Sequence, residues 1–338
     1  MNMKIYSFCI LMMAAAGFVA CSSDDVSEEK QEVPKQEIKL TANSLDALVQ
    51  GEVVTRADTS VQNRQFDNGQ YIDVYIKEAE YGQTTQRMSY PSPITFITTD
   101  ISGSMSPFGY TYPYFQTETL PNGDPIGVTI RAIYPSGAGK ENTFTVKEDQ
   151  SQVDQYRASD LMYGLPDCDL DAASAVTPRD VRVPLLFHHL LCKIQVKVEA
   201  FRDEYNKISG PDPTGSIVKL MNIDRTISFD ANGTPGTTML GARQNNFTKS
   251  LFVTYDASKM GAAIIPPQTV GTTKYFMEIQ LANNDLFYYT LGNAMTFESG
   301  KKYTFFISVK ETKLSVRCVV EDWVDYATPF QKSLNLDS

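Results

Sequence analysis

The stretch VPLLFHHLLCKIQVKVEAF, residues 183–201, lies just past the middle of the chain. Leu186, His188, Leu190, Cys192, Ile194, Val196 and Val198 alternate onto one face, and the opposite face turns polar at Lys193, Gln195, Lys197 and Glu199. A side-chain period of two is that of a strand with one buried face. At about nineteen residues the run is long beside the usual ~5–6. It reads as one continuous strand that opens a second β-domain and also touches the first. A rival reading, an amphipathic helix over residues 185–194, is opposed by the β-branched tail and by Pro184.

The flanking sequence is β-like on both sides. Ile38, Leu40 and Ala42 alternate with Lys39, Thr41 and Asn43, which predicts a first strand. The turn Phe66-Asp67-Asn68-Gly69 leads into predicted strands near 71–76, 88–90, 94–97, 128–134 and 144–146. Residues 102–124 read as a long loop with one short strand, 149–163 as the place of one short helix, and 166–179 as a linker. Beyond the long strand, 217–229, 248–255, 262–265, 274–281, 286–291 and 302–309 are predicted strands, punctuated by Asn232-Gly233, Pro266-Pro267, Asn283-Asn284 and Ser299-Gly300. Many short strands at fairly even spacing predict an all-β sandwich or barrel. The expected division is 38–180 and 181–338.

Composition agrees. Hydrophobic residues make up 42%, enough for sizeable cores, and Tyr 18 and Phe 18 favour strands. The net charge is -10 and no Lys/Arg cluster offers a phosphate footprint, which argues against nucleic acid as a partner. No nucleophile elbow, zinc helix, P-loop or dinucleotide fingerprint occurs. The two histidines, His188 and His189, are adjacent. On a strand they point to opposite faces and cannot share a metal, so His188 reads as structural. Asp167, Asp169 and Asp171 alternate as in a calcium loop but lack its Gly and terminal Glu, so a solvated acidic loop is expected. No enzyme, cofactor or metal is predicted. Of the Cys 5, Cys9 falls in the leader, Cys168, Cys192 and Cys318 have no zinc spacing, and the last two read as buried thiols. No disulfide among these three is implied by spacing.

Residues 1–20 read as an export signal, with Lys4 before an apolar run of about fourteen residues, short for a membrane span. The run ends Val19-Ala20-Cys21, a lipobox pattern in which Cys21 becomes the lipidated (palmitate-bearing) mature terminus. Ser22, Ser23, Asp24 and Asp25 follow, and 21–37 reads as a polar tether. At the far end, 313–338 holds two alternating segments. Leu314, Val316, Cys318 and Val320 share one face of the first, and Phe330, Leu334 and Leu336 share one face of the second.

Several segments in this order resemble the fimbrillin family, subunits of type V pili on certain Gram-negative anaerobes. They are the lipobox at Cys21, Thr55-Arg56-Ala57, Phe66-Asp67-Asn68-Gly69, Arg131-Ala132-Ile133-Tyr134-Pro135, Asp149-Gln150-Ser151 and Ala158-Ser159-Asp160-Leu161-Met162. Phe187-His188-His189-Leu190, Phe297-Glu298-Ser299-Gly300-Lys301-Lys302-Tyr303 and 314–323 complete the set. The resemblance implies two tandem transthyretin-like β-sandwich domains and a surface-exposed outer-membrane lipoprotein precursor. It implies cleavage by an Arg-specific surface protease between Arg56 and Ala57. The first strand, with Ile38, Leu40 and Ala42, then leaves. The C-terminal segment 313–338 of another fimbrillin subunit fills the groove by donor-strand exchange, giving a fimbrium that supports adhesion to host or bacterial surface ligands. Leu314, Val316, Cys318, Val320, Phe330, Leu334 and Leu336 are the donor residues so implied.

Two other function classes stay in view. A glycan-binding surface lipoprotein would cluster exposed aromatics, Trp323 among them, on one face. A surface hydrolase would need a pocket with paired carboxylates.

Overall fold

The computed structural model describes residues 35–44, 66–79, 89–100, 102–166, 175–178, 182–234, 237–248, 251–253, 261–310, 313–323 and 332–335. The expected leader with Cys21, the expected processing site at Arg56-Ala57, Asp167 to Asp171, Phe330 and Leu336 lie outside them.

The described chain is almost entirely β, as expected. Its first half supplies β1 (Leu40–Ser44), β2 (Tyr71–Glu78), β3 (Ile94–Thr98), β4 (Ser104–Pro107), β5 (Val128–Tyr134), β6 (Thr143–Thr145), β7 (Met162–Pro166) and β8 (Val183–His189). All but β6 join in one ring, in the order β1-β4-β3-β2-β5-β7-β8, which closes because β8 pairs back onto β1. Alternation decides the inward face: Ile72, Val74 and Ile76 on β2, Ile94 and Phe96 on β3, and Val128, Ile130 and Ala132 on β5 all enter one core. Phe66, ahead of the turn at Gly69, plugs it with edge-to-face contacts to Tyr134 and Phe187, ring centroids 5.2 and 4.7 Å away.

The second half supplies β9 (Cys192–Ala200), β10 (Ile217–Leu220), β11 (Ile223–Phe229), β12 (Leu240–Thr248), β13 (Leu251–Val253), β14 (Gly261–Ile265), β15 (Gln268–Val270), β16 (Met277–Gln280), β17 (Leu286–Tyr289), β18 (Met295–Phe297), β19 (Lys301–Lys310), β20 (Lys313–Asp322) and β21 (Lys332–Asn335). A five-stranded sheet, β14-β9-β19-β20-β21, faces a four-stranded one, β13-β10-β16-β17. Ile194, Val196, Phe305 and Ile307 from the first and Val218, Leu220, Met277 and Ile279 from the second fill a second hydrophobic cluster. A small sheet β12-β11-β6 and the pair β15-β18 complete the set.

The stretch 183–201 is two strands. β8 belongs to the ring and turns Val183, Leu185 and Phe187 into the first core, whereas β9 turns Cys192, Ile194, Val196 and Val198 into the second. The inward phase thus changes from odd to even numbers. Leu190 and Leu191, both buried, make the change between sheets. The single face drawn through Leu186 and His188 is therefore incorrect for β8. A continuous run of apolar residues conceals such a phase slip, because either face of it can be buried.

The same happens at 217–229. Asn222, at φ 57, divides the predicted strand into β10 and β11, which lie in different sheets. The predicted strand near 144–146 is real as β6, yet it pairs with β11 of the second half. Phe144, Val146, Tyr156 and Leu161 likewise pack in the second cluster. The helix is a five-residue turn, Val153–Arg157. Residues 89–90 form no strand, and Val176, in the predicted linker, is buried and bridged to Val128.

Candidate functional site

β1 occupies the seam of the ring. It runs antiparallel to β4, with Leu40 opposite Met105, and parallel to β8, with Leu40 opposite Val183. Ile38, Leu40 and Ala42 are each 0% exposed. Burial of Ile38 and Leu40 alone contributes about 3–6 kcal/mol. Backbone bonds stitch both edges: Ala42 N donates to Gly103 O at 2.7 Å, Val183 N to Lys39 O at 2.7 Å, Ile38 N to Pro113 O at 2.7 Å and Phe115 N to Gln36 O at 2.9 Å. Gly103, at φ +76, lies so close that a Cβ there would stand 2.1 Å from Ala42 O. β1 is the link through which β4 and β8 meet. The ring without it would be an open sheet with two free edges and an apolar slot between them.

The other end of the chain is built differently. β20 pairs with β19 along all ten of its residues, from Lys310 opposite Lys313 to Lys301 opposite Asp322. Val316 and Cys318 are buried in the second core, with Leu314 and Val320 packed at its margin. Val319, on the opposite face, is buried too. Among the described residues β21 is the outermost strand of the sheet and pairs on one side only, with Leu334 opposite Cys318. Of the residues expected in a donor segment, four thus lie on an interior strand of the same chain and the backbone of Leu334 lies on the edge strand.

A polar and aromatic cluster ties the two halves together where β8 ends. His189 stacks on Trp323, rings 3.7 Å apart and 6° from parallel, and its Nδ1 lies 2.8 Å from Oδ1 of buried Asp160. The buried Lys193 ammonium sits 5.8 Å from the Trp323 ring centroid. His188, on the other face, stacks on Tyr163 at 5.0 Å, and burial pushes its pKa down. Trp323 is 3% exposed, so it cannot serve as a surface platform. Cys192 and Cys318 are free and buried, and burial pushes the Cys318 thiol up to about 12. Among the described residues no group of three His, Cys, Asp or Glu is placed to hold a metal ion.

The signal for the seam was present in the sequence as the alternation at 38–42. The contribution of Gly103 and Pro113 to it was not, because their partners are distant in the chain.

Among the described residues these features define an all-β architecture with two hydrophobic cores, a ring sealed by its first strand and a sheet that ends on its last. The fimbrillin-like family model matches residues 55–323, and the chain belongs to that family. The family supports a fimbrial subunit role at the cell surface, in assembly with other fimbrillin subunits, and is not known as enzymatic. No curated protein matches the chain. Two crystal structures share the fold. A candidate cell adhesion protein from Bacteroides ovatus ATCC 8483 superimposes with TM-score 0.59 at 17% identity, covering 87% of this chain and 100% of that one. A candidate cell adhesion protein from Bacteroides uniformis ATCC 8492 gives TM-score 0.56 at 18% identity, covering 85% and 98%.

Proposed function

We propose that this chain is a fimbrial subunit precursor whose ring is opened by proteolysis and resealed by a strand from another subunit. The observation that carries the reading is β1 itself, a short strand with fully buried apolar residues, inserted between β4 and β8. While the chain is intact, β1 is intramolecular and holds its seat at a high effective concentration. Cleavage between Arg56 and Ala57 removes that advantage. An incoming strand then supplies the same backbone bonds and fills the same pockets, the mode of recognition in which an extended segment completes a sheet.

The donor in this reading is β21 with its flanks, including Phe330, Leu334 and Leu336. Among the described residues β21 has one neighbouring strand to leave. Releasing β20 would unzip its whole ladder with β19 and uncover Val316, Cys318 and Trp323. Leu314, Val316, Cys318 and Val320 are therefore proposed to remain in the parent subunit as the platform from which the tail extends. Lipidation at Cys21 would hold the precursor on the outer membrane until cleavage, which leaves the anchor with the departing segment.

The test is Arg56→Ala expressed at the surface of the cell that makes the fimbria. The expected result is a lipid-anchored monomer and no heat-resistant ladder on denaturing gels, while wild-type polymers begin at Ala57. Polymers from the variant, or wild-type polymers that retain residues before Arg56, overturn the reading.

A further inference from the structure

The solvent face of the sheet β13-β10-β16-β17 carries a row of groups that neither core uses. Register aligns Ile217, Gln280 and Leu286 across three strands, and Lys219, Glu278 and Tyr288 beside them. Their sequence neighbours Val218, Ile279 and Tyr289 point inward and are buried, so alternation turns the first six outward. Tyr288 is 43% exposed, and Tyr275, 52% exposed, lies against it with ring centroids 4.8 Å apart. Asn222 Nδ2 donates to Tyr275 O at 2.8 Å and fixes the backbone that bears the second ring. Lys219 Nζ stands 2.8 Å from Glu278 Oε1. The negative charge of Glu278 raises the Tyr288 pKa.

We propose that this face binds neutral carbohydrate, with Tyr275 and Tyr288 as the platform and Glu278 and Lys219 as the hydroxyl-directed polar pair. The electron-rich face of an aromatic ring attracts the weakly positive C–H groups on one side of a pyranose. The hydroxyls at the sugar's rim need both acceptors and donors. Glu278 supplies the first and Lys219 the second. Because the two form an ion pair, the polar part of the site is close to neutral. With a chain charge of -10 behind it, the face repels sulfated or sialylated polymers. A flat protein partner would strip water from the Lys219–Glu278 pair without replacing its hydrogen bonds, a net cost. Sugar hydroxyls replace those waters in kind. The face is open, so a single site is weak. This inference stands apart from the proposed assembly mechanism, although repetition along a polymer would multiply such sites.

The experiment uses the intact chain with neutral gluco- and manno-configured tetraoses, and sialyllactose as the charged control. Saturation-transfer NMR is expected to mark the axial ring protons of a neutral tetraose. Joint Tyr275→Ala and Tyr288→Ala should weaken binding by at least about tenfold, the equivalent of one lost aromatic stacking contact. Because both rings are exposed, the thermal midpoint should stay within about 2 °C of wild type. Glu278→Gln should weaken binding and Tyr288→Phe should retain it. No transfer to any neutral tetraose, preference for sialyllactose, or unchanged binding in the double variant overturns the proposal. So does self-association by sedimentation that the double variant abolishes without any sugar binding, because the face would then be a contact between copies.

Discussion

Gly103 illustrates how one residue can govern a whole seam. Its positive φ and the absence of a side chain let its backbone touch Ala42. An L side chain at that φ costs about 1–2 kcal/mol, and a Cβ would also strike the Ala42 carbonyl. Gly103→Ala is expected to lower the thermal midpoint of the unprocessed chain by about 5 °C or more, at ~2–4 °C per kcal/mol. In a chain that begins at Ala57 the clash is absent, and the drop should be smaller. Equal drops in the two forms, measured by calorimetry, would show that Gly103 does not act through β1. Glycine at a loop position carries no such information in sequence, since its partner is some sixty residues upstream, roughly the distance a ring closure spans.

Among the strands, β20 and β21 differ in how many neighbours hold them. A strand paired on both sides and buried on one face leaves its sheet only at the cost of its whole ladder, at about 0.5–1.5 kcal/mol net per hydrogen bond. Deleting 328–338 removes β21 and leaves β20 on β19. The expected product is a folded, processed subunit that forms no polymer. Gel filtration and electron microscopy of surface material check this. Fibres of normal length from the truncated chain would exclude β21 and its flanks as donor, and unfolding of the monomer would assign the tail a structural role in its own sheet. Sequence alternation could not separate the two cases. Both segments alternate, and only the neighbours decide which is interior.

For the whole chain, the proposed order of events is anchoring, cleavage, then exchange. Anchoring precedes because the lipid and β1 would leave together. Cys21→Ser is expected to abolish acyl labelling and leave full-length precursor that retains its leader. The check is mass spectrometry of membrane fractions after growth with labelled palmitate. Undiminished label in the variant excludes Cys21 as the acylated residue. The His189–Trp323 stack joins the last residue of the ring to the end of β20. The slot that β1 would leave and the proposed platform for the tail therefore share a structural element, β8 with its His189 end.

Read alone, the sequence determined what local periodicity can encode. The all-β class, the inward face of the first segment at Ile38, Leu40 and Ala42, the limits of β5 and the burial of Cys192 and Cys318 all follow from a period of two. The fimbrillin resemblance also came from local segments in order. Tertiary structure decided everything that depends on a phase slip or a distant neighbour. Leu190-Leu191 splits one apparent strand between sheets, because a run that is apolar on both faces does not record which side is inside, and Asn222 splits another by taking a positive φ. Trp323 became a buried junction, and Tyr275 and Tyr288 were left among the exposed aromatics, because burial is set by what packs opposite a residue.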